Sequence, residues 1–273
     1  MKNLKREVEK RKMFKLSASK LKTYKACKRK YELSYIENLE PIKKEEALEI
    51  GSNYHKNIEK ILKGEVIEKG EINSEEDAKV YAMSKAFEMY IKPNLPEIQE
   101  TEKSFEICID KDRNYYLNGI VDAITKDGII VEHKTTSLAL DEKYQEKLNW
   151  DDQVPIYMLA NDTTECIYTV CQKPTIRLKK DESLEEYADR CIEWYNEKTD
   201  EKIGTFKIKA QQEDILEEYG ELINMCEEME KTKNFYRNSS NCNIVSCPYS
   251  SICINYDKGA TLVNFKKKEE NIW

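Results

Sequence analysis

Apolar residues recur at three- and four-residue intervals through the first hundred positions and turn to two-residue intervals only after them. Ser17 and Ser19 are good N-caps for a first helix, whose spacing predicts a run through Leu21, Tyr24 and Cys27. A second helix is predicted over 45–63, where Leu48, Gly51, His55, Ile58 and Leu62 share a stripe that turns His55 toward the core. Ser74-x-x-Asp77 reads as the capping box of a third, which continues through Val80, Met83, Phe87 and Tyr90 until Pro93 and Pro96 stop it.

Residues 104–110 (SFEICID), 114–124 (NYYLNGIVDAI) and 128–136 (GIIVEHKTT) read as consecutive strands of an antiparallel meander, separated by polar turns. A helix over 142–160, an apolar strand over 165–171, a shorter strand over 175–178 and long helices over 183–199 and 211–231 follow. A polar, cysteine-bearing tail begins at Asn234. No internal repeat and no Gly/Ser linker breaks the order. The expectation is one α/β domain, 1–273, with a mainly helical part over 1–100, a sheet core over 101–180, helices over 181–233 and a cysteine-rich tail over 234–273.

Charged residues at 36% and a mean hydropathy of −0.78 describe a heavily charged surface, while 40% hydrophobic residues is too many for general disorder. No apolar run approaches the roughly 20 residues of a membrane span, and the N-terminus lacks a secretory apolar stretch, so a cytoplasmic protein is expected. The net charge of −7 argues against a simple nucleic-acid coat. The first 30 residues nevertheless hold 13 Lys or Arg against Glu7 and Glu9, so a basic segment that could grip phosphates precedes an acidic body; a solvated basic face is the ordinary alternative.

A reducing compartment keeps ordinary cysteines as thiols, and Cys108, Cys166, Cys171, Cys191 and Cys226 sit singly in apolar or helical patterns, as small buried hydrophobes do. Cys242, Cys247 and Cys253 crowd into twelve residues, which points to metal ligation. In the sheet core, alternation puts Asp122 on one face of its strand and Glu132 with Lys134 on one face of the next. If those strands pair, two carboxylates and an ammonium converge, a set that suits a hard divalent cation and a held water; taken alone, a surface ion pair is the commoner meaning. His55 on its apolar stripe, Gly51 one turn before it, and Gln153 and Tyr157 four apart on the following helix add to the set. A glycine inside a helix costs about 1 kcal/mol against alanine, so Gly51 implies a close approach or a packing reason.

In order, Gly51-x-x-x-His55, GIVDAI with Asp122, VEHKTT with Glu132 and Lys134, and QVPIY with Gln153 and Tyr157 resemble the RecB-type branch of the PD-(D/E)XK nucleases. The segment around Cys27 (KLSASKLKTYKACKRKYELSYIE) and the triplet Cys242, Cys247-Pro248 and Cys253 resemble the iron-sulfur members of that branch, such as the AddB nuclease domain, RecB-like CRISPR-associated exonucleases and phage-borne relatives. The four-residue gap between Cys242 and Cys247 is longer than the two-residue spacing common in that triplet.

The resemblance implies a nuclease core, a central mixed sheet flanked by helices, with a helical N-terminal elaboration and the cysteine tail. His55, Asp122 and Glu132 would ligate Mg²⁺ or Mn²⁺, with the His133 carbonyl as a further ligand. Lys134 would position the attacking water, and Gln153 and Tyr157 would contact the substrate backbone or orient Lys134. Cys27, Cys242, Cys247 and Cys253 would bind one 4Fe-4S cluster, with zinc as the alternative. The implied activity is a metal-dependent DNA exonuclease acting on single strands or frayed ends. Tyr24 and Tyr31 are candidates to guide the strand, although helix-spaced tyrosines are more often core residues. The rivals are a catalytically idle nucleic-acid-binding or assembly subunit held by a structural metal cluster, and an unrelated protein with a zinc module. No phosphate-binding loop of the G-x-x-x-x-G-K-[ST] type occurs, so a helicase, like CRISPR adaptation or phage recombination proteins, would be a separate partner.

Overall fold

The sheet is organised by β4 (Tyr115–Thr125), the strand with three partners. Along one edge β4 pairs antiparallel with β3 (Ile98–Asp110) over nearly its whole length. The other edge is shared. Residues 115–117 run parallel to β1 (Phe14–Leu16), and the far end meets β5 (Ile130–Thr136) antiparallel at only two pairs, Ala123 with Val131 and Ile124 with Ile130. β5 is parallel to β6 (Glu165–Gln172), and β6 is antiparallel to β7 (Ile203–Lys209). The computed structural model describes residues 12–42, 46–70, 72–244, 247–254 and 262–268. The basic residues before Lys12 and the predicted helix start at Glu45 lie outside them.

Helices cover both faces of this mixed sheet. α1 (Ala18–Ala26), α6 (Gln153–Asn161) and α9 (Gln212–Lys231) bury Leu21, Tyr24, Val154, Ile156 and Leu222 against a face that includes Tyr115, Leu117 and Tyr168. On the other side, α3 (Glu46–Leu62) and α4 (Glu75–Ala86), with a π-helical extension over Phe87–Ile91, bury Tyr54, Ile58, Met83 and Phe87 with Cys171 and Ile203. Tyr168 and Cys171 are an odd number of residues apart on β6, so they point to opposite faces. The third helix starts as its capping box predicts, with the Ser74 side chain accepting the Asp77 N–H at 3.0 Å.

Several expectations change. α1 stops at Ala26 because Cys27 is extended (φ −165°), and the chain re-enters helix as α2 (Lys28–Tyr31), so the first helix does not run through the cysteine. The helix predicted over 142–160 is two, α5 (Glu142–Leu148) and α6, parted at 149–152. The Asp151 side chain takes the Gln153 N–H at 3.1 Å and so starts the second helix locally. The strand predicted over 175–178 does not form. Tyr187 and Arg190 of α7 (Leu184–Trp194) donate to the carbonyls of Ile176 and Arg177 at 2.8 Å each, and Pro174 has no N–H to give a ladder.

The cysteine tail packs on the N-terminal part. β2 (Leu39–Pro41) and β8 (Phe265–Lys267) form a two-stranded ribbon, and Leu33, Leu39, Tyr249 and Ile252 make a small core of their own with Cys247 and Phe265. Tyr249 Oη donates to Leu39 O at 2.8 Å, and the Arg29 N–H donates to Tyr236 O at 3.1 Å. Among the described residues no helix is long and apolar enough to cross a membrane.

Candidate active site

After Ala123–Val131 the next antiparallel pair would set Asp122 against Glu132, but the ladder ends there and the two strands part. The His133 N–H, released from the ladder, donates instead to Asp122 Oδ2 at 2.7 Å. The other Asp122 oxygen faces His55 Nδ1 at 3.3 Å. His55 can reach it because the buried stripe of α3 is Ile50, Tyr54, Ile58 and Ile61; the predicted stripe lies at its border, with Leu48 65% exposed and the His55 side chain about one-third exposed.

On β5, Glu132 is 2% exposed. Its Oε1 accepts from Lys134 Nζ at 3.1 Å, and its Oε2 has no hydrogen-bond partner. Lys134 Nζ also donates to Gln153 Oε1 at 2.6 Å and meets Asp151 Oδ2 at 3.1 Å, and Gln153 Nε2 donates to Tyr157 Oη at 2.8 Å. The structure therefore gathers His55, Asp122, Glu132, Lys134, Gln153 and Tyr157 at the fork between two strands, with α3 on one side and the start of α6 on the other. Three acceptors take up the three N–H donors of the ammonium.

Burial works against every charge here, and the neighbours decide each outcome. For Asp122, burial raises the carboxyl, but His55 and His133 outweigh it and hold it below the usual carboxylate range. For Glu132 the balance goes the other way: burial, then the nearby Asp122 charge, outweigh Lys134 and His55 and push it up to about 8. Burial also pulls on His55 and Lys134, yet Asp122 raises the first, and Glu132 with Asp151 raise the second. His133, fully buried with Nδ1 2.6 Å from Thr169 Oγ1, is pushed down to about 4 by burial.

These groups fit a hard divalent cation. Asp122 Oδ1 and His55 Nδ1 stand about as far apart as neighbouring donors around a small octahedral ion, and the orphaned Glu132 Oε2 is a buried acceptor that a cation would satisfy. Among the described residues no three side chains close into a preformed metal group, so loading the site requires a ligand to turn.

Some residues here escaped the sequence patterns. Asp151 holds Lys134 from a turn hidden inside a helical period. Glu102 falls opposite Asp122, between the pairs Thr101–Ala123 and Lys103–Val121, with a φ of 52°, a left-handed conformation uncommon for a glutamate. Burial, then Asp122 and Glu59, raise its carboxyl, and it lines a cleft of about 780 Å³ with Gly51, His55, Glu59, Asp122 and Thr135. Gly51 is not forced by packing: an added Cβ would meet only Thr135 Oγ1, at 3.6 Å. Gly119 is the forced glycine, because a Cβ there would lie 2.8 Å from Phe105 Cζ and 3.2 Å from Tyr157 Cε1.

The N-terminal expectations fare less well. Tyr24 and Tyr31, 2% and 6% exposed, are core residues and offer no stacking face. Lys25 pairs with Asp152 at 2.8 Å and Lys28 with Glu228 at 2.7 Å, which leaves Lys22 as the exposed lysine of α1 without an ion pair among the described residues. Cys27 sits at the break before α2, Cys242 on α10 (Ser239–Ile244) and Cys253 on α11 (Ser250–Ile254), with Cys247 between the last two. Their segments meet, since Asn238 Nδ2 donates to Ala26 O at 2.9 Å and accepts the Cys242 N–H on its own carbonyl at 3.2 Å. Among the described residues the four thiols are free cysteines and do not close into a preformed metal-binding group.

Comparison with solved structures pairs the chain with SSO0001 (17% identity, TM-score 0.47, covering 89% of this chain and 88% of that one). It also pairs it with a phage related exonuclease from Haemophilus somnus 129PT (13%, 0.43, 80% and 94%) and the alkaline exonuclease LHK-Exo from Laribacter hongkongensis (14%, 0.33, 85% and 95%). No curated protein matches it significantly. The family profile of the PD-(D/E)XK nuclease superfamily matches residues 15–254, most of the chain and every residue of the strand fork, and the chain belongs to that superfamily.

Proposed function

We propose that the protein is a Mg²⁺- or Mn²⁺-dependent exonuclease that hydrolyses phosphodiester bonds in single-stranded or frayed DNA ends. One observation carries the cation-dependent chemistry: a buried carboxylate with a free oxygen, Glu132, beside an ionised Asp122 and a fixed, charged Lys134. The choice of DNA ends rests on the order of motifs, which resembles the RecB-type nucleases.

A divalent ion bound here would neutralise a nonbridging phosphate oxygen and acidify a water. Asp122 and Glu132, the latter giving up its proton to water as the ion binds, would hold it as anionic donors, with His55 as the nitrogen ligand. Lys134 keeps its proton, and when Glu132 turns Oε1 away one N–H is freed to hold the attacking water. Asp151 and Gln153 keep the ammonium in place during that exchange, and Tyr157 orients Gln153. Any unwinding would come from a separate chain.

The exonuclease assignment is tested with linear and circular single-stranded DNA of equal length. Linear DNA should be degraded and circles spared; equal cutting of both would make the enzyme an endonuclease, and DNA binding without cleavage of either would make it an idle subunit.

A 4Fe-4S cluster on Cys27, Cys242, Cys247 and Cys253 belongs to the same proposal. It rests on the resemblance and on the meeting of the Cys27 and Cys242 segments at Asn238. Protein purified without oxygen should carry about four irons per chain. Cys27→Ser should lose them and melt lower, because ligands that far apart in sequence close a long loop. Wild-type protein with neither iron nor zinc would remove the cluster.

A further inference from the structure

Trp150 is 86% exposed, on the turn between α5 and α6. The turn is built rather than loose. The N–H groups of Asn149, Trp150 and Asp151 donate to the carbonyls of Glu146, Lys147 and Leu148 at 3.2, 3.2 and 3.3 Å, and the Asp151 side chain accepts the Gln153 N–H where α6 begins. A fixed backbone thus presents an indole ring that has no aromatic or cationic partner among the described residues. Consecutive Cα atoms are about 3.8 Å apart, so the ring starts one residue from Asp151, which touches Lys134. Two residues on, Asp152 ties the turn to Lys25 of α1. Lys22, exposed on the same helix, lies close enough to Asp151 to help keep its carboxylate ionised.

A large apolar ring held in water one residue along the chain from Asp151, a side chain of the candidate site, has one chemical use that the surroundings favour. Lys25 and Lys28 already face carboxylates, so the described part of the basic segment offers few unpaired charges to a phosphate beside this turn. Stacking on an unpaired base adds affinity that needs no charge and tolerates any sequence. We propose that Trp150 is a base-stacking station for single-stranded DNA entering the Lys134 site, with Lys22 contacting the adjoining phosphate. This rests on the nuclease reading and adds a substrate-binding residue to it.

The test is the binding of a fluorescein-labelled oligo-dT in chelator, where no cleavage intervenes, measured by anisotropy at several salt concentrations. Trp150→Ala should weaken binding about tenfold, at 1.4 kcal/mol per factor of ten, with the salt slope unchanged. Trp150→Phe should recover most of the loss, and Lys22→Glu should instead flatten the slope. Wild-type protein that binds the oligonucleotide while Trp150→Ala binds it equally well would overturn the station and leave the nuclease standing. Unaltered DNA binding with a changed sedimentation coefficient would make the ring a contact between copies of the chain, also overturning it. Wild-type protein that binds no DNA would overturn both.

Discussion

Replacing Asp122, Glu132 or Lys134 by alanine should lower hydrolysis of single-stranded DNA by at least about 10³-fold, which is about 4 kcal/mol at 1.36 kcal/mol per tenfold. The first two changes remove anionic donors, and the third removes the ammonium that three acceptors hold in place. The His55→Ala loss should be smaller, on the order of tenfold to a hundredfold, since water can replace one neutral ligand. Circular dichroism should show all four variants folded, because α3 and β5 are buried through other residues, Tyr54, Ile58, Ile130 and Val131 among them. A Glu132→Ala enzyme as active as wild type would remove the catalytic assignment.

The second large effect has the opposite sign to the usual cost of changing a buried charged residue. Glu132 is pushed up to about 8 in the folded protein, above its value in an unfolded chain. Its contribution to stability is therefore complete below about pH 4.5 and is lost as pH rises through about 8. At pH 8.5, without metal, the site must hold an ionised carboxylate whose Oε2 lacks a partner. Glu132→Gln abolishes that burden while Asp151 and Gln153 still hold Lys134. In chelator at pH 8.5 the variant should melt higher than wild type by roughly 5 °C, with the gap closing toward pH 5. Adding Mg²⁺ should raise the melting temperature of wild type and leave Glu132→Gln unmoved. Calorimetry showing wild type melting higher than the variant at pH 8.5 without metal would mean that Glu132 is a satisfied structural residue.

The strand alternation that put Asp122, Glu132 and Lys134 together was legible because a two-residue period survives in both strands, and their short antiparallel contact is enough to make the faces coincide. What alternation does not carry is the parting of the strands one pair later, which is what turns Asp122 toward the His133 N–H and His55. The buried stripe of α3 lies one position from the one its pattern predicts, because Leu48 and Leu62 are as apolar as Ile50 and Ile61; the shift leaves His55 at the border of the stripe, where it can face a cleft. β7 and the three-residue strands β1, β2 and β8 were missed because so few residues carry no readable period or, as in IGTFKIK, an interrupted one. Glu102 was invisible for another reason: its left-handed backbone sits inside a strand whose sequence alternates without a break. Trp150 looked like one more residue of a long helix until Asp151 and Asp152 proved to interrupt it.

The most direct test of the account is a single sample of wild-type protein with end-labelled linear single-stranded DNA, first in chelator and then with excess Mn²⁺ added. The account predicts intact DNA in the chelator and progressive shortening once the cation is supplied, with no shortening in a parallel sample of Asp122→Ala. Shortening at the same rate before and after Mn²⁺, or equal shortening by Asp122→Ala, would contradict it.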